Sequence, residues 1–292
     1  MAAYERSAWL RLLLALALVV PVHLLHLAAP RLTGTRGTLA GTVLAAAIAI
    51  VLGAAAYRGY VRAFERRAAS EFATPGAPRE LFAGFAVGAA YFAATIGILA
   101  LLGVYRVVGH HDVGIVVAPL VSAMGTAVIE EILLRGIVFR IAENALGTWI
   151  ALALSSLLFG LLHLVNPQAT VQGAVAIIFE AGVLLGAAYV LTRRLWLPIG
   201  IHAGWNFTQG GIFGVAVSGH RSEGVFEGTL SGPEWLSGGD FGAEASIVAV
   251  VLGITLGMAL IVMARRRGRW IQPYWRRDAG RRGPAEPQEK LV

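Results

Sequence analysis

No cysteine occurs anywhere in the chain. Disulfides, a thiolate nucleophile and a cysteine-built zinc site are therefore excluded. Charge is scarce as well. Only 14% of the 292 residues are Asp, Glu, Lys or Arg, against about 25% in a soluble domain, and Lys290 is the only lysine. The deficit points to a chain that lives in lipid. A formal charge of +7 would suit nucleic acid, but most arginines sit in short loops beside apolar runs, the placement that orients a membrane protein. Nucleic acid is not an expected partner. The sequence also lacks a His-Glu-x-x-His segment, which would fix zinc ligands and a base on one helix. No internal repeat of the kind common in transporters is evident.

What is present is mostly long apolar runs. A transmembrane helix needs about 20 such residues, and segments 9–28, 39–57, 81–104, 115–139, 148–165, 171–191, 195–217 and 246–264 qualify. The expected fold class is all-α: a polytopic transmembrane helix bundle of about eight spans. The first run has the outline of a signal peptide, interrupted by Pro21, His23 and His26, and is read as a span. The seventh is rich in glycine and polar residues. Four stretches organise the chain: 1–110 with three transmembrane helices, 111–217 as a helical core, 218–264 with an external loop and the last span, and 265–292 as a basic tail.

Eight spans put both termini on one side. That side gathers 19 of the 24 Lys and Arg residues, and the other holds only Arg31, Arg36, Arg106 and Arg221. Positive charge stays cytoplasmic. The expectation is an integral protein of the plasma membrane with both termini inside. The Gly-rich segment 218–245 would then be external, read as a solvated connector. Trp270, Tyr274 and Trp275 among the tail arginines read as an anchor to lipid headgroups, making the bilayer itself a partner.

Ionisable residues inside the apolar runs stand out, because a charge at the bilayer centre costs at least about 2.5–3.5 kcal/mol. Glu130, Glu131 and Arg135 lie on the fourth run. At about 100° per residue, Glu131 and Arg135 share a helix face and suit an ion pair. Glu130 points elsewhere, without a helical partner, as a general acid or base requires. Phe159 and His163 are one turn apart on the fifth run; His163 is either catalytic or an interhelical hydrogen bonder, and Phe159 shapes its surroundings. His202 and Asn206 are also one turn apart, placed to donate hydrogen bonds to a developing oxyanion or to make a polar helix contact. Gly200, Gly204, Gly210 and Gly211 nearby permit close approach of backbone or substrate. Two carboxylates, two imidazoles and an amide are the groups that hydrolysis uses. Counted at 1.5 Å per residue, Glu130 lies about 14 Å, His202 about 10 Å and His163 about 22 Å from the cytoplasmic ends of their helices. The three then meet only if the fifth helix tilts, at a site nearer the cytoplasmic face.

In combination, Glu130-Glu131-x-x-x-Arg135, Phe159-x-x-x-His163 and His202-x-x-x-Asn206 resemble the CPBP family of intramembrane proteases. That family includes the CAAX prenyl endopeptidases of the Rce1 type and bacterial bacteriocin-processing and immunity-associated members. Phe179-Glu180-x-Gly182-x-x-x-Gly186 and Leu195-Trp196-Leu197-Pro198-Ile199-x-x-His202 extend the resemblance over roughly 122–213. It implies an intramembrane endopeptidase. Glu130 and His163 would activate a water, His202 and Asn206 would stabilise the oxyanion, and Glu131 and Arg135 would support the site. The partner would be a peptide or protein substrate, free or membrane-associated. Glu180 departs from the small or apolar residue expected at its position. No cofactor is expected to be required; if zinc or another divalent metal is present, Glu130, His163 and His202 are its ligands. Two alternatives are a catalytically idle immunity or scaffold protein of the same fold, and a proton-coupled transporter.

Overall fold

The computed structural model describes residues 8–273 and 275–276. Arg6, Tyr274 and most of the basic tail, Lys290 included, lie outside these residues. Seven helices are long and apolar enough to cross a membrane: α1 (Ala8–Leu32), α2 (Leu39–Glu65), α3 (Ala77–Leu101), α4 (Val113–Leu146), α5 (Thr148–Val165), α6 (Val171–Thr192) and α9 (Ile247–Arg266). An eighth helix, α7 (Trp196–Asn206), continues through a π-helical turn, Phe207–Ile212. Its glycines and polar residues lower its hydropathy, yet it is enclosed by the others. The chain is thus an integral membrane protein built as a helix bundle. Two strands, β1 (Tyr105–His110) and β2 (Phe226–Leu230), form a small antiparallel sheet at one end, and α8 (Glu234–Ser237) is a single turn.

Local chemistry sets the helix ends. Thr38, Thr170 and Ser246 accept hydrogen bonds from the amides of Gly41, Gly173 and Ala249, each satisfying an orphan donor of a first turn. Gly147, with φ of 82°, breaks the chain between α4 and α5. Several helices widen into π turns, at Ile132–Phe139 in α4, Ile178–Gly182 in α6 and Phe207–Ile212 after α7. Such turns are frequent at functional sites.

The tightest pairing in the bundle is α3 against α7. A Cβ on Gly84 would lie 2.4 Å from the Leu197 carbonyl oxygen, and one on Gly88 only 2.0 Å from that of Ile201. Gly200 and Gly204 face the carbonyls of Leu81 and Phe85 in the same way. Glycine four residues apart on both helices lets the backbones touch, the usual solution where lipid offers no hydrophobic drive. Gly200 and Gly204 therefore serve helix packing. Trp205 fills the adjoining space, its ring 5.1 Å from Tyr91 and 5.8 Å from Phe92.

One end of the bundle gathers arginines into ion pairs. Arg67 bonds Glu65 and Glu71, Arg140 bonds Glu65, Arg193 bonds Glu143 and Arg194 bonds Glu80. The start of the basic tail docks at this end: Thr148 donates to the Ile271 carbonyl, and Trp270 packs 4.6 Å from Trp149.

The opposite end corrects the reading of 218–245 as a solvated connector. Ser237, Phe241, Ala243, Glu244 and Ala245 are buried. Gly219 donates to the Phe241 carbonyl, Asn166 to that of Ser218, and Gln209 to that of Ala216. The segment is a packed cap, because Phe241 seats on Gly173, where any side chain would collide with its ring.

Candidate active site

The site grows from α4. Glu131 and Arg135 are fully buried, and Arg135 Nη1 donates to Glu131 Oε1 at 2.8 Å. His202 Nδ1 donates to the same oxygen at 3.1 Å. Glu131 is therefore more than the partner of an arginine: it fixes the imidazole of α7. Arg135 Nη2 also donates to the carbonyls of Ala181 and Gly182 at 3.2 and 3.3 Å. Those carbonyls lie at the π turn of α6, where the widened winding leaves them available. Neutralisation by Glu131 and these carbonyls is what permits a guanidinium at this depth.

Glu130 lies at the other end of the same imidazole, its Oε2 3.8 Å from His202 Nε2. Its side chain is 21% exposed, against 0% for Glu131. Adjacent acids on one helix thus differ in role by direction alone: one is locked in the interior and one reaches an opening.

His163 is the first residue of a 3₁₀ turn, His163–Val165, that ends α5. Its Nδ1 donates to the Phe159 carbonyl at 2.7 Å. The Nδ1 hydrogen being committed, Nε2 of the neutral ring offers a lone pair to the site. Phe159 stands at the centre. Its ring meets His163 edge-on at 4.8 Å and His202 at 6.0 Å, while the Arg135 guanidinium stacks 4.7 Å over its face. The ring gives the buried cation a favourable face and fixes the spacing of the imidazoles.

His163, His202 and Asn206 line one small cavity together with Phe159, Trp205, Ser218 and Glu244. Its volume is about 10 Å³, near the minimum that holds a single water. Asn206 is half-buried on α7, one turn beyond His202. Glu130 acts electrostatically on His163 without lining this cavity. Among the described residues, no three His, Asp or Glu side chains converge into a group able to hold a metal ion.

The sequence reading placed the site nearer the terminal side of the membrane; the structure places the cavity under the 218–245 cap. Helix α4 runs to Leu146, two turns beyond the apolar run, so Glu130 lies near its middle. His163 sits at the cap end of α5, and Ser218 and Glu244 form a wall of the cavity. Both were missed as site residues. A glycine-rich polar loop carries no periodicity that would mark an acid as buried; only the place of Glu244 just before the helix-capping Ser246 hinted at order. Glu180, left open by the sequence, is fully buried one layer behind the site. Tyr91 bonds it at 2.8 Å and contacts the Ala249 carbonyl at 2.9 Å, tying α3, α6 and α9 together.

Residues 112–208 match the family model described as Type II CAAX prenyl endopeptidase Rce1-like. The matched third of the chain contains all four segments that build the site on α4 to α7. It bears out the resemblance read from the motifs, and the family is one of proteases. Comparison with curated proteins and with solved structures gives no match.

Proposed function

We propose that this chain is an intramembrane endopeptidase. The observation that carries the reading is the His202 imidazole held at Nδ1 by Glu131 and faced at Nε2 by Glu130, across a water-sized cavity from His163. Glu130, acting together with the Nε2 lone pair of His163, takes a proton from water. The water oxygen attacks the peptide carbonyl, whose oxygen turns towards His202 Nε2 and the Asn206 amide. To donate there while keeping its bond to Glu131, the His202 ring carries a hydrogen on each nitrogen. Glu131 supplies the counter-charge, and Arg135 holds Glu131 in place.

The substrate class is a peptide or protein that reaches the bilayer. The reaction is proposed to need no metal, because His202 and Asn206 supply the polarisation that a Lewis acid would otherwise give. The membrane is proposed to be the plasma membrane, with both termini cytoplasmic and the cap external.

The test is cleavage of membrane peptides by purified variants. Glu130→Gln and His163→Ala should each abolish turnover in protein that remains folded. His202→Ala or Asn206→Ala should slow it by about 10²–10³, the loss typical of one oxyanion donor. Full turnover by Glu130→Gln would end the general-base assignment.

A further inference from the structure

The mechanism above leaves one proton unassigned. When the tetrahedral intermediate collapses, the departing nitrogen must gain a hydrogen, since an amide anion is too poor a leaving group. The residues identified so far are engaged elsewhere: His202 and Asn206 at the oxyanion, and Glu130 and His163 at the water.

Glu244 is the remaining acid on the cavity wall. It lies in the 3₁₀ turn Ala243–Ala245, between Gly242 and Ser246, the N-cap of α9. Gly242 has φ of 121°, a conformation open to glycine, and that turn directs the chain inward. Glu244 is 1% exposed. Its Oε1 accepts the amide of Ser218, itself in the left-handed region at φ of 49°, and Trp205 lines the same cavity, its indole N–H given to Gln209. The amide of Ser218 thus fixes the acid from a second segment of the cap. An acid so thoroughly enclosed in a loop, held by a backbone amide and lining one cavity with two imidazoles, is an expensive arrangement for a spacer.

We propose that Glu244 is the catalytic acid that protonates the leaving amine, a role that rests on the endopeptidase reading. The placement follows from amide geometry. The scissile nitrogen is only about 1.33 Å from the carbonyl carbon. A carbonyl oxygen engaged by His202 and Asn206 therefore leaves its nitrogen near the other residues that line the same small cavity, Glu244 and Ser218 among them. In the step itself, the C–N bond breaks, its electron pair stays on nitrogen, and nitrogen takes the Glu244 proton. The oxyanion re-forms the carbonyl of the new carboxyl group. The proton that Glu130 took from water returns to Glu244 before the next turnover, so one water is consumed and nothing else. Burial pushes the Glu244 carboxyl up to about 7, against the Ser218 hydrogen bond and nearby His202, which pull it down. Protonated carboxyl is therefore plentiful at neutral pH, as a proton donor needs.

The experiment compares a peptide amide with a nitrophenyl ester of the same acyl sequence, whose leaving group departs without a proton. Glu244→Gln should slow amide cleavage by about 10²–10⁴ and ester cleavage by far less, under about tenfold. Equal losses on both substrates, or no loss on the amide, would overturn the assignment. Glu130→Gln, run alongside, should lose both substrates, since both need an activated water. If it retains them, the endopeptidase mechanism itself is at fault rather than the role of Glu244. If Glu244→Gln does not fold, the wild type still decides the matter. Its turnover across a series of anilides should depend weakly on leaving-group basicity, and a steep dependence would show that no acid assists.

Discussion

Neutralising Glu131 should injure stability and catalysis by separate routes. One oxygen of Glu131 accepts both Arg135 at 2.8 Å and His202 at 3.1 Å, with Glu131 and Arg135 out of solvent. Unit charges about 4 Å apart attract by about 4 kcal/mol at an effective dielectric constant of about 20. Removing one partner of a buried pair strands the other, at about 3–5 kcal/mol. Glu131→Gln and Arg135→Met should each lower the melting temperature in detergent by several degrees. The double variant strands neither the carboxylate nor the guanidinium and should regain part of the loss. Recovery stays incomplete, because the carbonyls of Ala181 and Gly182 lose the donor they share. Turnover separates the partners. Glu131→Gln removes the acceptor that orients His202 and should slow cleavage by about 10²-fold or more. Arg135→Met keeps that acceptor and should cost less at a temperature where both variants are folded. In a His202→Ala background, adding Glu131→Gln should change turnover little. Thermal denaturation and peptide cleavage, measured on the same preparations, test both halves. Additive stability losses, or a full second loss of turnover in the His202→Ala background, would refute the shared-oxygen arrangement.

Further expectations follow from packing, chemistry and charge. Gly88→Leu would drive a side chain into the Ile201 carbonyl, and should abolish or sharply lower the melting transition, whereas Gly97→Leu on the same helix meets nothing within 4 Å; equal tolerance of both would dissolve the α3–α7 contact. Elemental analysis of active protein should find no stoichiometric zinc, and phenanthroline should leave cleavage intact; one zinc per chain, with activity lost on chelation and restored by metal, would reassign Glu130, His163 and His202 as ligands. Reporter fusions at residue 230 and at the C-terminus should read opposite sides of the membrane; matching readouts would defeat the proposed orientation.

Much of this architecture was legible in the sequence because lipid demands continuous apolar runs and makes every buried charge conspicuous. The spans and the motif residues on α4, α5 and α7 needed no more than that. The Glu131–Arg135 pair followed from helix geometry alone. Depth did not, since α4 extends past its apolar run to Leu146 and a count from residue 139 leaves Glu130 two turns too near the helix end. The link from Glu131 to His202 spans 71 positions and has no local signature. The cap was illegible for a different reason. Its polar and glycine-rich residues look like solvated chain until Phe241 finds Gly173 and Glu244 finds Ser218.

The π turns limit what lengths of chain can build this site. Each turn fits an additional residue into a helix of nearly unchanged rise, between Glu131 and Arg140 in α4 and just after Asn206 in α7. Deleting a single residue such as Leu133 would let α4 relax to ordinary winding and still cross the bilayer. It would also shorten the Glu131–Arg135 spacing from four residues to three, which ordinary winding keeps on one face, while a deletion in the ordinary winding before Glu131 would turn the pair by about 100° against the preceding residues. The damage from a one-residue change therefore depends on whether it falls inside a widened turn, although hydropathy would register no difference.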